Sequence, residues 1–213
     1  MASAVDICNL ALGHLGEARI VSMDADTAAA RACQLHYTLT RDAVLRSHRW
    51  NFAQARVTLT QLSTPPEFGW SYQYQLPADC IRVLEVNDSE FGDVITDEYI
   101  VEGGKLLTDA DEVRMVYLRK VEDVSEFDDL FVMAFALQLA VVLSESIRGT
   151  TGKTEALLQA YEKITAPLAR RVDANEGRRR KGMISLNSPV ARALIGKYAG
   201  DVAQVQTPGG KRE

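Results

Sequence analysis

The stretch that most constrains this 213-residue chain runs from Leu130 to Leu143, where Gln138 is the one polar residue among fourteen. A helix apolar on every side has to be enclosed, so this segment belongs in a packed interior or at a subunit interface. As a helix it would be roughly 21 Å long, short of the roughly 30 Å hydrocarbon core of a bilayer. The expectation is a buried core helix and no membrane partner. Just before it, Ser125 and Asp128 resemble a helix cap.

Other segments are arranged around that helix. Ser3, with Asp6 three residues later, reads as the cap of a first helix carrying Ile7, Ala11 and Leu15 and stopping at Gly16. A second helix is expected from Asp24 or Asp26 to about His48, with Ala28, Ala32, Leu35, Leu39 and Ala43 as its apolar stripe. The period then changes. Val57 and Leu59, then Tyr72 and Tyr74, alternate with polar residues, and Arg82–Val86 and Val113–Tyr117 read as further strands. Gly103 and Gly104, set between Tyr99–Val101 and Leu106–Leu107, signal a hairpin. A fourth helix is expected from about Thr151 to Asn175, with Leu157, Tyr161, Ile164 and Leu168 on one side and a kink or break at Pro167. After Gly177 periodicity fades, leaving room for one short helix near Val190–Tyr198. The expected fold is α+β and mainly α. A helical bundle (1–53 and 121–177) holds an inserted small antiparallel β unit (54–120) and ends in an extended basic C-terminal tail (178–213).

Charge divides the chain in the same place. From Arg178 onward there are eight basic and two acidic residues, net +6, so the remainder carries −11 of the overall −5. Apolar residues at 46% and charged residues at 25% exclude a wholly disordered chain. An acidic body is a poor free-standing DNA binder, since a nucleic-acid surface needs basic groups to neutralise phosphates. Three cysteines at no regular spacing, Cys8, Cys33 and Cys80, argue against a disulfide framework and fit a reducing compartment. The first residues lack a basic region followed by an apolar run, so no signal peptide is expected.

No chemistry-bearing constellation emerges. Gly149–Thr154 resembles a phosphate loop, but position 147 is Ile where the pattern needs Gly, and the segment follows a helix instead of a strand. Cys33 and His36 could share a metal on one helix face, yet there is no second ligand pair. Cys80 has no base beside it in sequence. Asp128 and Asp129 suit a helix start better than an acid–base pair. There is no Gly-x-Ser-x-Gly elbow. Trp50 and Phe52 are expected to anchor the turn after the second helix. Catalytic, cofactor and metal sites are all expected to be absent. The dense run Arg178, Arg179, Arg180 and Lys181 is either a solvated tail or a patch for an acidic partner or nucleic acid.

Between Val5 and Asn175 the order of segments resembles the tail tubular protein A family of short-tailed phages. The resemblance rests on Ile7–Leu12 with Leu15-Gly16-Glu17, on Ala30–Cys33 with Tyr37 and Arg41, and on His48–Ala53. It continues through Tyr74–Cys80, Glu102-Gly103-Gly104 with Leu106–Asp109, and Phe127-Asp128 with Phe131. It implies a non-enzymatic structural virion protein: a head-to-tail adaptor made in the host cytoplasm and assembled as a dodecameric ring of this chain. Its implied partners are the portal protein above and the tail nozzle protein below, with genomic DNA passing through the lumen unread. The C-terminal segment would then dock on the portal through Arg178, Arg179, Arg180, Lys181, Ile184, Leu186, Val190, Arg192, Ile195 and Lys197. The alternatives are a tail-associated hydrolase and a small DNA-binding regulator that uses the basic tail.

Overall fold

The computed structural model describes residues 3–87, 98–148, 152–176, 205–207 and 210–212. The chain divides into two compact units, Met1–Glu176 and Gly177–Glu213.

In the first unit, α1 (Ala4–Leu15) starts at Ser3, whose hydroxyl accepts from the Asp6 N–H while the Asp6 carboxylate accepts from the Ser3 N–H. It ends at Gly16, at φ 73°, a left-handed conformation that glycine adopts without a Cβ penalty. α2 (Ala28–Ser47) is capped by Thr27, whose side chain accepts from Ala30, and not by Asp24 or Asp26. Asp26 instead pairs with Arg31.

The face of α2 that is buried also differs from expectation. Leu35 and Leu39 are 66% and 72% exposed, whereas Cys33, Tyr37, Thr40, Arg41, Val44 and Leu45 face inward. Two of these are polar, so a hydropathy stripe misses the face. Arg41 can be enclosed because Asp42 and Glu122 accept from its guanidinium.

The apolar run lies within α3 (Asp129–Arg148), which packs against α1 and α2. At 20 residues α3 exceeds the apolar run, so its length of about 30 Å would suffice to cross a bilayer. Length therefore does not exclude a membrane span, and what places α3 in the interior is its packing, with Phe131, Phe135, Leu139, Ala140 and Leu143 fully enclosed. Its cap is Asp128, which accepts from Leu130 and Phe131, while Ser125 lies in a short 3-10 turn (Val124–Glu126) capped by Asp123.

The expected kink or break at Pro167 takes the form of an interruption of the regular α-helix just before it. α4 (Gly152–Ala160) runs through a π-helical turn, Tyr161–Thr165, into α5 (Ala166–Glu176). The Ala166 N–H reaches back five residues to the Tyr161 carbonyl. A proline lacks an N–H and crowds the carbonyl four residues earlier; widening the preceding turn absorbs both effects.

The β region is two three-stranded antiparallel sheets. One has the order β1 (Gln54–Thr58), β6 (Arg114–Arg119), β3 (Cys80–Asn87); the other has β2 (Tyr72–Gln75), β5 (Lys105–Thr108), β4 (Tyr99–Glu102). Glu102 pairs with Lys105 across Gly103 and Gly104, at φ 57° and 74°, the two left-handed residues a tight hairpin requires. Tyr74, Leu106, Val113 and Met115 form a second core there. The main core lies between the helices. Trp50, Phe52, Phe127 and Phe131 meet in it, with Phe131 5.2 Å from Trp50 and 4.9 Å from Phe127 between ring centres. Trp50 and Phe52 thus anchor the turn after α2 as expected.

In the second unit the described residues form one hairpin, β7 (Val205–Thr207) with β8 (Gly210–Arg212), in which Val205 pairs with Arg212 and Thr207 with Gly210.

Candidate functional site

A buried polar cluster of the first unit lies where α2 ends. His48 leaves the helix in an extended conformation, and Trp50 is pulled inward, its indole N–H donating to the Val44 carbonyl at 3.0 Å. That turn points His48 and Asn51 at Asp173 on α5. The Asp173 carboxylate lies 3.1 Å from His48 Nε2 and accepts from the Asn51 N–H at 2.8 Å. The Asn51 side chain donates to the Asp173 carbonyl at 2.5 Å. Asp173 is buried, so these bonds replace the water it has lost.

Arginines surround this corner. Arg170 donates to the Ser47 hydroxyl and Arg82 to the Arg46 carbonyl, while Arg46 bonds the Ile81 carbonyl and Arg49 pairs with Glu85. Burial holds the His48 imidazole below its ordinary pKa. Asp173 pulls it back up, and Arg170 and Arg82 push it down. The arrangement fastens α5 to the end of α2. Among the described residues no nucleophile lies at hydrogen-bond distance from this pair, which there makes a latch and supplies only two of the parts that acyl transfer requires.

The other candidates from sequence are dispersed. His36 bonds Ser146 at 2.9 Å, whereas Cys33 is enclosed in the main core. Burial, with Asp79 second, pushes the Cys80 thiol up, the opposite of nucleophile activation. Among the described residues, no three His, Cys, Asp or Glu side chains converge as metal ligands. The Gly149–Thr151 part of the loop-like motif lies outside the described residues, and Thr154 is buried in α4 against Ser144. The ten residues assigned to portal docking, Arg178, Arg179, Arg180, Lys181, Ile184, Leu186, Val190, Arg192, Ile195 and Lys197, all lie outside the described residues.

Comparison with known proteins changes the reading of that segment. Residues 172–213 match the family model "Transcription elongation factor, GreA/GreB, C-term". The transcription elongation factor GreA of Methylococcus capsulatus is 60% identical over 42 residues, 20% of this chain and 27% of that protein. That of Ralstonia nicotianae is 72% identical over 32 residues, 15% of this chain and 20% of that protein. That of Neisseria meningitidis serogroup A is 37% identical over 92 residues, 42% of this chain and 56% of that protein. The chain thus spans between about a fifth and about half of these relatives' length.

These findings overturn the adaptor reading. The tail tubular protein A assignment, the structural virion role, the portal and tail-nozzle partners, the dodecameric ring around passing genomic DNA and the virion location are replaced by a likeness to transcription elongation factors. The tail-associated hydrolase and the small DNA-binding regulator fit no better. The error has a physical source. A basic, glycine-rich segment suits any anionic partner, so charge alone cannot choose one. The sequence signal that was missed lies within residues 172–213, the range that the family model matches. The matched range opens at Val172 inside α5, so Asp173, the residue held by His48 and Asn51, is among the first residues similar to the GreA/GreB C-terminal family.

Proposed function

We propose that residues 172–213 form a docking unit of the GreA/GreB C-terminal type that binds RNA polymerase, and that the chain modulates transcription elongation through that contact. The match of this segment to the GreA/GreB C-terminal family carries the reading. Identities of 60% over 42 residues and 72% over 32 to relatives named transcription elongation factor GreA lend it weight. The net charge of +6 from Arg178 onward favours an acidic surface on the partner and rapid association at low salt. In this reading the chain acts by binding, and the His48–Asp173 pair serves to hold helices together.

The test compares the full chain with a form ending at Glu176, each presented to core RNA polymerase in gel filtration and biolayer interferometry. The full chain should bind, compete with authentic GreA and change the rate at which paused complexes resume. The shortened form should do none of these while keeping its helical circular dichroism. Equal binding by both forms, or no binding by the full chain, overturns the reading.

A further inference from the structure

We infer that Arg46, Arg82 and Arg170 form a binding site for a phosphate group. They come from three segments, Arg46 from α2, Arg82 from β3 and Arg170 from α5, and they meet at the end of α2. The Arg82 guanidinium donates to the Arg46 carbonyl at 3.1 Å. The Arg46 guanidinium donates in turn to the carbonyl of Ile81, the neighbour of Arg82. The Arg170 guanidinium donates at 3.2 Å to the hydroxyl of Ser47, the residue after Arg46. The three side chains are thus fastened to Arg46, Ser47 and Ile81 and held in one corner before any ligand arrives.

None of the three is matched by an acid. Among the described residues no carboxylate lies at ion-pair distance from Arg46, Arg82 or Arg170, whereas Arg31, Arg41, Arg49, Arg114 and Arg119 are all paired. Outside the basic C-terminal segment the chain carries −11, so acids are plentiful and the corner is an exception to its composition. A guanidinium has five N–H groups, and most of these remain uncommitted. The Arg170 Nε is buried with no acceptor among the described residues, a donor that costs stability until one arrives. Neutralising the last carbonyls of α2 accounts for Arg82, which bonds one of them. It accounts neither for Arg46, which reaches away to Ile81, nor for the buried Nε of Arg170.

Charge and shape select the ligand. Asp173 is the buried acid of the corner, already bonded by His48 and Asn51, and Arg49 is matched by Glu85. His48 is held below its ordinary pKa and is neutral at pH 7. Three guanidiniums against the one carboxylate of Asp173 leave two positive charges unmatched. A phosphate group brings about 1.5–2 negative charges at pH 7, where a carboxylate brings one. The planar guanidinium fork also grips two phosphate oxygens at once. A nucleic-acid strand would run on over an acidic body that repels it. A compact phosphate, free or carried by a nucleotide, avoids that penalty. Bound there it would bridge α2, β3 and α5 beside the His48–Asp173 latch. The inference concerns the first unit and stands whether or not the polymerase reading holds.

The experiment follows the histidine ring signals of the full chain by NMR at fixed ionic strength, during titration with inorganic phosphate, with sulfate and with a nucleoside diphosphate. The His48 signal is the one lost in His48→Gln. Arg170 and Arg82 depress the His48 pKa, so an anion seated among them should raise it, saturably and at one site. His14 and His36 should not respond. Sulfate, whose charge is constant across this range, separates that shift from the titration of phosphate itself. Arg82→Gln and Arg170→Gln should each weaken binding by about tenfold or more at unchanged circular dichroism. If either unfolds, Arg46→Gln, at an exposed position, takes its place with the same expectation. Replacing Arg178, Arg179, Arg180 and Lys181 together by glutamine should leave the His48 response intact. Tighter binding of the nucleotide than of phosphate assigns the phosphate to a nucleotide, and equal binding assigns it to the free ion. The proposal is overturned if His48 does not respond, if all three histidines respond alike, or if the folded arginine variants keep wild-type affinity. It is also overturned if a single-stranded oligonucleotide binds the corner and neither small phosphate does.

Discussion

Asp173 on α5 sits 3.1 Å from Nε2 of His48 at the end of α2, across 125 residues of chain. The pair fastens the helix from which the chain enters the GreA-like segment. It also sets a pH dependence. Burial holds the folded-state pKa of His48 below its ordinary value of 6.5, so the unfolded chain takes up a proton that the folded chain resists. Stability from this group is complete above pH 6.5 and falls as pH drops below it. The unfolding midpoint of wild type should therefore decline more steeply between pH 7 and pH 5 than that of His48→Gln, measured by urea titration across that range. Equal slopes would remove His48 as the source. The carboxylates with lowered pKa values, Asp6, Asp109, Glu122 and Asp123, titrate below this window and do not confuse it.

Trp50 joins two jobs, filling the aromatic core and satisfying the Val44 carbonyl near the end of α2. Trp50→Phe should keep most of the ring contacts but lose the indole bond and leave a small cavity, while the Val44 carbonyl keeps the Ser47 hydroxyl as a donor, so the cost should be about 1–2 kcal/mol. The same variant should loosen the turn that presents His48, so the steeper pH response should shrink with it. A thermal melt at pH 7 and pH 5.5 checks both.

The second core has its own single point of failure. Tyr74 is 1% exposed, and its hydroxyl donates to the Ala110 carbonyl at 2.8 Å. Tyr74→Phe should destabilise the chain by about 1–2 kcal/mol, because the carbonyl loses its partner without access to water. Hydrogen exchange should locate the loss in β2 and β5 and spare α1.

How far the sequence could be read follows from the range of the forces involved. Caps, turns and the aromatic turn are local, so Ser3 with Asp6, Gly16, Gly103 with Gly104, and Trp50 with Phe52 could be placed from neighbours alone. The inward face of α2 could not. Arg41 can be buried because Asp42 and distant Glu122 satisfy its guanidinium, and no window of hydropathy contains Glu122. The latch at Asp173 was invisible for the same reason, since both its partners are more than a hundred residues away. The C-terminal segment failed differently: its charge was legible, but charge names no partner.

The inverted face of α2 yields the last prediction. Leu39 is 72% exposed and Leu45 is 0% exposed, although both are leucines on one helix. Leu39→Gln should change stability by less than about 0.5 kcal/mol, whereas Leu45→Ala should cost about 2–5 kcal/mol through lost contacts and a cavity. The contrast is sharp because hydropathy favoured Ala28, Ala32, Leu35, Leu39 and Ala43 as the inner stripe, which would give Leu39→Gln the larger penalty. Guanidinium unfolding of the two variants decides it. A large loss from Leu39→Gln beside a small one from Leu45→Ala would mean that α2 is rotated relative to α3.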